Sequence, residues 1–142
     1  MVVHTDLNCL TVLQYAVDVL RVKHVIVVGH YGCGGIQAAY SHADTGLIGN
    51  WLRNIKDVLH TNRARIMALP DDSARVNLLC ELNVIAQVAN VCHTTIVQHA
   101  WQRGQSVTVH GWVYSLNDGL LKDLNCSMDS MEQIPEEYRV GP

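Results

Sequence analysis

His24-Val25-Ile26-Val27-Val28-Gly29-His30-Tyr31-Gly32-Cys33-Gly34-Gly35 is the stretch that decides the fold of this chain. Its first half is a short β-branched run closed by glycine, which predicts a strand buried on both faces of a parallel sheet. Its second half is glycine-rich and leads into Ile36-Gln37-Ala38-Ala39-Tyr40, so a turn at the strand's C-terminal end opens a helix. In open α/β sheets that edge is where sites form. His30 and Cys33 stand there three residues apart, and zinc takes imidazole nitrogen and thiolate sulfur readily. Gly32, Gly34 and Gly35 permit backbone conformations that larger residues resist and let a small substrate approach the main chain. Taken alone, His-x-x-Cys occurs more often by chance or in cores than in metal sites. Its place at a strand end beside three glycines is what makes it a candidate.

Working outward, Leu10, Leu13, Val17 and Leu20 recur at three- and four-residue spacing, predicting an amphipathic helix over Cys9–Val22 with Thr5, Asp6 or Asn8 as N-cap. On the other side, Leu47, Trp51, Leu52, Ile55 and Leu59 form the apolar stripe of a helix over Leu47–His60. After Pro70, Asp71-Asp72-Ser73 starts the longest helix, with Leu79, Leu82, Ile85, Val88 and Val91 on one face. Thr94 and Thr95 cap a further helix through Trp101 that Gly104 ends. The period then becomes extended: Ser106–Tyr114, the turn Asn117-Asp118-Gly119 and Leu120–Leu124 read as a hairpin. From Ser127 to Pro142 the chain is polar, broken by Pro135 and Pro142, with one poorly anchored helical turn expected over Met131–Tyr138. The class is therefore α/β, a mostly parallel sheet flanked by helices. Two strands and one hairpin partner make a thin sheet for so many helices.

A chain of 142 residues with 49% hydrophobic content builds one ordinary core. A formal charge of -3 gives no basic stripe, which argues against a nucleic-acid partner. No apolar run is long enough to span a membrane and the start carries no secretion signal, so the expected location is cytoplasmic. Five cysteines, Cys9, Cys33, Cys80, Cys92 and Cys126, form an odd set without repeated spacing, so metal binding or burial explains them better than disulfides. His24, His42, His60, His93 and His99 sit beside polar residues and read as solvated; His110 reads as a hydrogen-bonded strand histidine, and Trp51, Trp101 and Trp112 as packing residues. A phosphate-cradling loop is a poor alternative for Gly29–Gly35, because neither P-loop nor dinucleotide spacing fits.

The segment VVGHYGCGGIQAA is very similar to the second zinc-ligand motif of β-class carbonic anhydrases, Gly-His-x-x-Cys-Gly-Gly. The flanking stretches HTDLNCLTVLQYAVDVLRVKHVIVVGH and IVQHAWQRGQSVTVHGWVYSLNDGLLKDL resemble the bacterial branch of that family, and the likeness runs from Val2 to about Asp123. It implies a partial family domain over residues 1–126, followed by a polar tail over 127–142. It implies a zinc lyase that interconverts carbon dioxide and bicarbonate, acting as a homodimer or higher oligomer. His30 and Cys33 would be two of three protein zinc ligands, Tyr15 would line the substrate pocket, and Gly34 would present its backbone near the substrate. Tyr114 resembles a residue of a non-catalytic bicarbonate pocket, although that pocket's tryptophan and arginine have no counterpart here. The family's first motif, Cys-x-Asp-x-Arg, does not occur in this sequence. The resemblance therefore implies an N-terminally truncated domain with the first strands missing, whose competence alone is in question. The alternative function is an inactive zinc- or bicarbonate-binding remnant acting through dimerisation. Cys9 reads as a small buried hydrophobe at the start of a helix rather than a replacement ligand.

Overall fold

A computed structural model describes residues 1–41 and 43–141. His42 and Pro142, read above as a solvated histidine and a chain breaker, lie outside the described residues. Asp6 caps the first helix, its carboxylate accepting from the N–H groups of Asn8 and Cys9 at 3.0 and 3.3 Å. Helix α1 spans Leu7–Gln14. The helical period then continues as a single π turn, Tyr15–Val19, in which the Leu20 N–H reaches back to the Tyr15 carbonyl. Arg21, at φ 53°, reverses the chain into strand β1, His24–His30.

Cys33, with extended backbone, precedes helix α2, Gly34–Tyr40, and α3 covers Leu47–Thr61. A short helix absent from the sequence reading, α4 over Arg63–Met67, buries Ile66. The long helix α5 runs Asp72–Cys92 and α6 runs Thr95–Gln102, with the Thr94 hydroxyl accepting from the Val97 N–H as expected. Strand β2, Thr108–Tyr114, and strand β3, Leu121–Asp123, form the foreseen hairpin.

The strand order is β1-β2-β3. Hydrogen bonds from the Thr108 N–H to the Lys23 carbonyl and from the Tyr31 N–H to the Tyr114 carbonyl make β1 and β2 parallel. Those joining Ser115 to Leu120 and Leu124 to Gly111 make β2 and β3 antiparallel.

The described chain divides into two units. One comprises Met1–Val27, Gln87–Gly111 and the stretch from Asp123 onward; the other comprises Val28–Ala86 and Trp112–Lys122. In the first, Val88, Val91, Cys92, Val97, Val109 and Ile134 form a buried core, flanked by Val25, Val27 and Trp101. A second cluster joins Val17, Ala100 and Val107, and the Trp101 indole N–H donates to the Val107 carbonyl at 2.8 Å. In the second unit the buried residues include Ile36, Ala39, Leu52, Ile55, Ile66, Leu79, Leu82 and Val84.

Four sequence readings need correction. β1 is not buried on both faces: Ile26 and Val28 are 45% and 51% exposed, because the strand packs on the core only through the face that carries Val25 and Val27. Trp51 is no packing residue, since the N-terminal end of α3 holds it half-exposed beside the exposed Leu47. The C-terminal stretch is not poorly anchored. It forms two 3₁₀ turns, Met131–Gln133 and Glu136–Tyr138, between which Ile134 is 1% exposed. The fully buried Gln98 donates to the carbonyls of His93 and Tyr138 and accepts from the Val140 N–H. His93, read as solvated, stacks on the Tyr138 ring with centroids 4.2 Å apart. His24 is exposed, as read, and its Nδ1 lies 3.0 Å from Nε2 of His110, whose other ring nitrogen meets the Ser127 hydroxyl.

Candidate metal centre

The site begins with a close approach. A Cβ on Gly29 would fall 2.5 Å from Val84 Cγ2, so only glycine lets the end of β1 lie this near α5. His30 follows, exposed at the strand's last position. Its Nδ1 lies 2.9 Å from the Tyr31 carbonyl oxygen. A carbonyl only accepts, so Nδ1 carries the hydrogen, and in the neutral ring Nε2 keeps its lone pair for a ligand. Gly32, at φ 71°, turns the chain in the left-handed region, and Cys33 comes next, half-buried, as the residue preceding α2.

Gly34 opens α2, and nothing lies within 4 Å of a Cβ built there, so its backbone faces free space. Tyr114 sits at the end of β2, where its carbonyl accepts from the Tyr31 N–H at 3.0 Å. His30, Cys33, Gly34 and Tyr114 all belong to the second unit. Tyr15 belongs to the first, on the π turn, and is 57% exposed, so it is not a core residue.

Three further residues went unnoticed in the sequence. The Tyr31 phenol donates to Glu81 Oε1 on α5, and Lys122 Nζ on β3 donates to the same oxygen at 2.8 Å. Burial would raise the Glu81 carboxyl, but the hydrogen bonds from Lys122 and Tyr31 outweigh it and hold the group below its usual value. Burial first, and then Glu81, pushes the Tyr31 phenol up. The available signal was a lone acid inside an apolar helical run, Leu78-Leu79-Cys80-Glu81-Leu82. A charge on such a face requires partners.

Cys80 is buried, and burial pushes its thiol up to about 11, partly offset by the Cys33 backbone N–H. It is a neutral thiol at neutral pH, in keeping with a packing role. Cys92 is likewise buried and pushed up to about 12. All five cysteines are free thiols.

An imidazole with Nε2 available and a half-buried thiol suit zinc by donor type. Among the described residues, however, no group of three or more His, Cys, Asp or Glu side chains is placed to hold a metal ion. His30 and Cys33 account for part of a zinc shell only. Beside them, Tyr31, Gly32, Ser73, Asn77, Leu116 and Asn117 line a cleft of about 260 Å³. No helix among the described residues is long and apolar enough to cross a membrane.

The carbonic anhydrase family model matches residues 1–121. A carbonic anhydrase of Emericella nidulans is 48% identical over 120 residues, covering 84% of this chain and 53% of that protein. Among solved structures, the Coccomyxa β-carbonic anhydrase in complex with acetazolamide superposes with a TM-score of 0.86 at 42% identity, over 93% of this chain and 60% of that one. One of two tetrameric β-carbonic anhydrases from Sordaria macrospora gives 0.83 at 32% identity, over 90% and 65%. The chain thus spans roughly half to two thirds of the length of these relatives.

Proposed function

Because the chain belongs to the carbonic anhydrase family, we propose that it serves the reversible hydration of carbon dioxide to bicarbonate and a proton, with zinc bound at His30 and Cys33. The observation that carries this reading is the turn itself: Gly29-His30-Tyr31-Gly32-Cys33-Gly34-Gly35 with the His30 Nε2 left free by the Nδ1 contact to Tyr31. Zinc supplies the acidification of a water molecule that provides a nucleophile at neutral pH, an effect for which carbonic anhydrase is the standard example. The chain's own residues do the rest. His30 would hold the metal through Nε2 and Cys33 through its soft, polarisable sulfur. The open space at Gly34 admits a small linear molecule to the main chain. Tyr15 lines the substrate pocket in this reading, and Tyr114 contributes to a separate bicarbonate pocket.

Among the described residues no further side chain joins His30 and Cys33 as a zinc donor. Self-association fits, because a Sordaria macrospora relative is tetrameric and this chain exposes Ile26 and Val28 on β1. Cytoplasmic location rests on composition and the free thiols, and membership of the bacterial branch on the flanking stretches quoted above. That the described residues offer only His30 and Cys33 also favours a second reading, an inactive zinc- or bicarbonate-binding remnant that acts through dimerisation.

Zinc content per chain and stopped-flow carbon dioxide hydration, measured on the same sample, separate the two. Near-stoichiometric zinc with turnover supports the enzyme. Zinc or bicarbonate binding without turnover supports the remnant. A chain that binds neither refutes both.

A further inference from the structure

Building on the metal-centre reading above, we propose that Tyr31, Glu81 and Lys122 form a positioning clamp that locks His30 in the tautomer with Nε2 free. His30 is exposed at the end of β1, so packing alone does not orient its ring. What orients it is one acceptor, the Tyr31 carbonyl at 2.9 Å. That carbonyl is useful only if the Tyr31 peptide is itself held.

Two anchors hold it. Its N–H donates to the Tyr114 carbonyl of β2 at 3.0 Å. Its phenol donates to Glu81 of α5, where Lys122 of β3 donates to the same oxygen at 2.8 Å. One residue is thereby tied to three elements of the second unit. Glu81 is largely sheltered, with 22% of its side chain exposed, so losing a donor leaves a carboxylate short of partners and frees the phenol to move. Tyr31, Glu81 and Lys122 touch no metal; they act through the carbonyl that meets His30. Groups placed one shell behind a metal ligand typically change affinity by about 10- to 100-fold when removed.

The test reads the tautomer directly. Imidazole nitrogen resonances of His30 are recorded on ¹⁵N-labelled, metal-free chain at about pH 8.5, where an ordinary imidazole is neutral. Zinc affinity is measured by chelator competition on the same samples. In the native chain Nδ1 is protonated. Tyr31→Phe and Glu81→Gln give a mixture of tautomers and about 10-fold weaker zinc binding, while Lys122→Met gives a smaller loss of about 3-fold. Variants that keep the native tautomer and bind zinc within about twofold of native overturn the clamp. A purely structural role lowers the unfolding midpoint and leaves the tautomer alone, which also overturns it. The underlying reading fails separately: if His30→Ala leaves zinc affinity unchanged, His30 is no ligand, whereas the nitrogen resonances still decide whether the clamp sets the tautomer.

Discussion

The turn over Gly29–Gly35 and the C-terminal stretch over Ser127–Gly141 are held in opposite ways. The turn carries the most conspicuous sequence of the chain, yet its candidate ligand, His30, is exposed and its ring meets the Tyr31 carbonyl through Nδ1. The C-terminal stretch carries no motif, yet it places Ile134 in a core at 1% exposure and closes hydrogen bonds on a fully buried Gln98. Chemical demands for glycine, imidazole and thiol leave a readable signature. Anchorage that rests on one apolar residue among polar ones does not.

The contrast predicts a separation of effects. His30→Ala and Cys33→Ser should each lower zinc-dependent turnover by about 1000-fold or more, equivalent to ~4 kcal/mol. His30→Ala, at an exposed position, should not move stability in urea by more than about 0.5 kcal/mol, the usual range for surface changes. A parallel collapse of stability would erase the distinction. In the C-terminal stretch, Ile134→Ala should cost about 2–4 kcal/mol in urea unfolding. Gln98→Ala should cost about 1–3 kcal/mol by stranding the partners it now satisfies.

The smallest effect concerns pH. Burial lowers the pKa of His93, with His4 adding to the shift, while Glu137 opposes it. A histidine whose folded pKa lies below its unfolded one gives its full contribution above about pH 6.5 and loses it as pH falls through the folded value. The unfolding midpoint should therefore drop on acidification below about pH 6.5, and His93→Phe, which keeps a ring against Tyr138, should flatten that drop. An unchanged pH profile would remove His93 from the account of how the stretch is held.

Much of the architecture was legible in the sequence. Asp6 and Thr94 cap helices as read, the hairpin falls where the extended period begins, and α5 starts at Asp72. The π turn escaped because Val17 satisfies the same apolar spacing in either helical form. α4 escaped because five residues are too few to show a period. The exposure of Ile26 and Val28 escaped because composition reports what a strand can bury, whereas burial depends on what lies against it. At the candidate site, His30 and Cys33 were visible as a local pattern. Glu81 and Lys122 were not, being separated from Tyr31 by 50 residues or more and joined to it only by the fold.

The parallel pairing of β1 with β2 also sets a clock for synthesis. His24 and His110 meet across that pair although they lie 86 residues apart. At about 5–20 residues per second, a ribosome needs on the order of 4 to 17 s to deliver β2 after β1 has been made. Throughout that interval the nascent β1, with its run of β-branched side chains, has no β2 to pair with. Helices rest on local contacts, whereas the β1–β2 pair joins residues far apart in sequence, the kind of contact whose loop-closure cost makes it slow to form. A cell making this chain must keep that segment from mispairing during the delay, and translation speed between Tyr31 and Val107 becomes a variable of its yield.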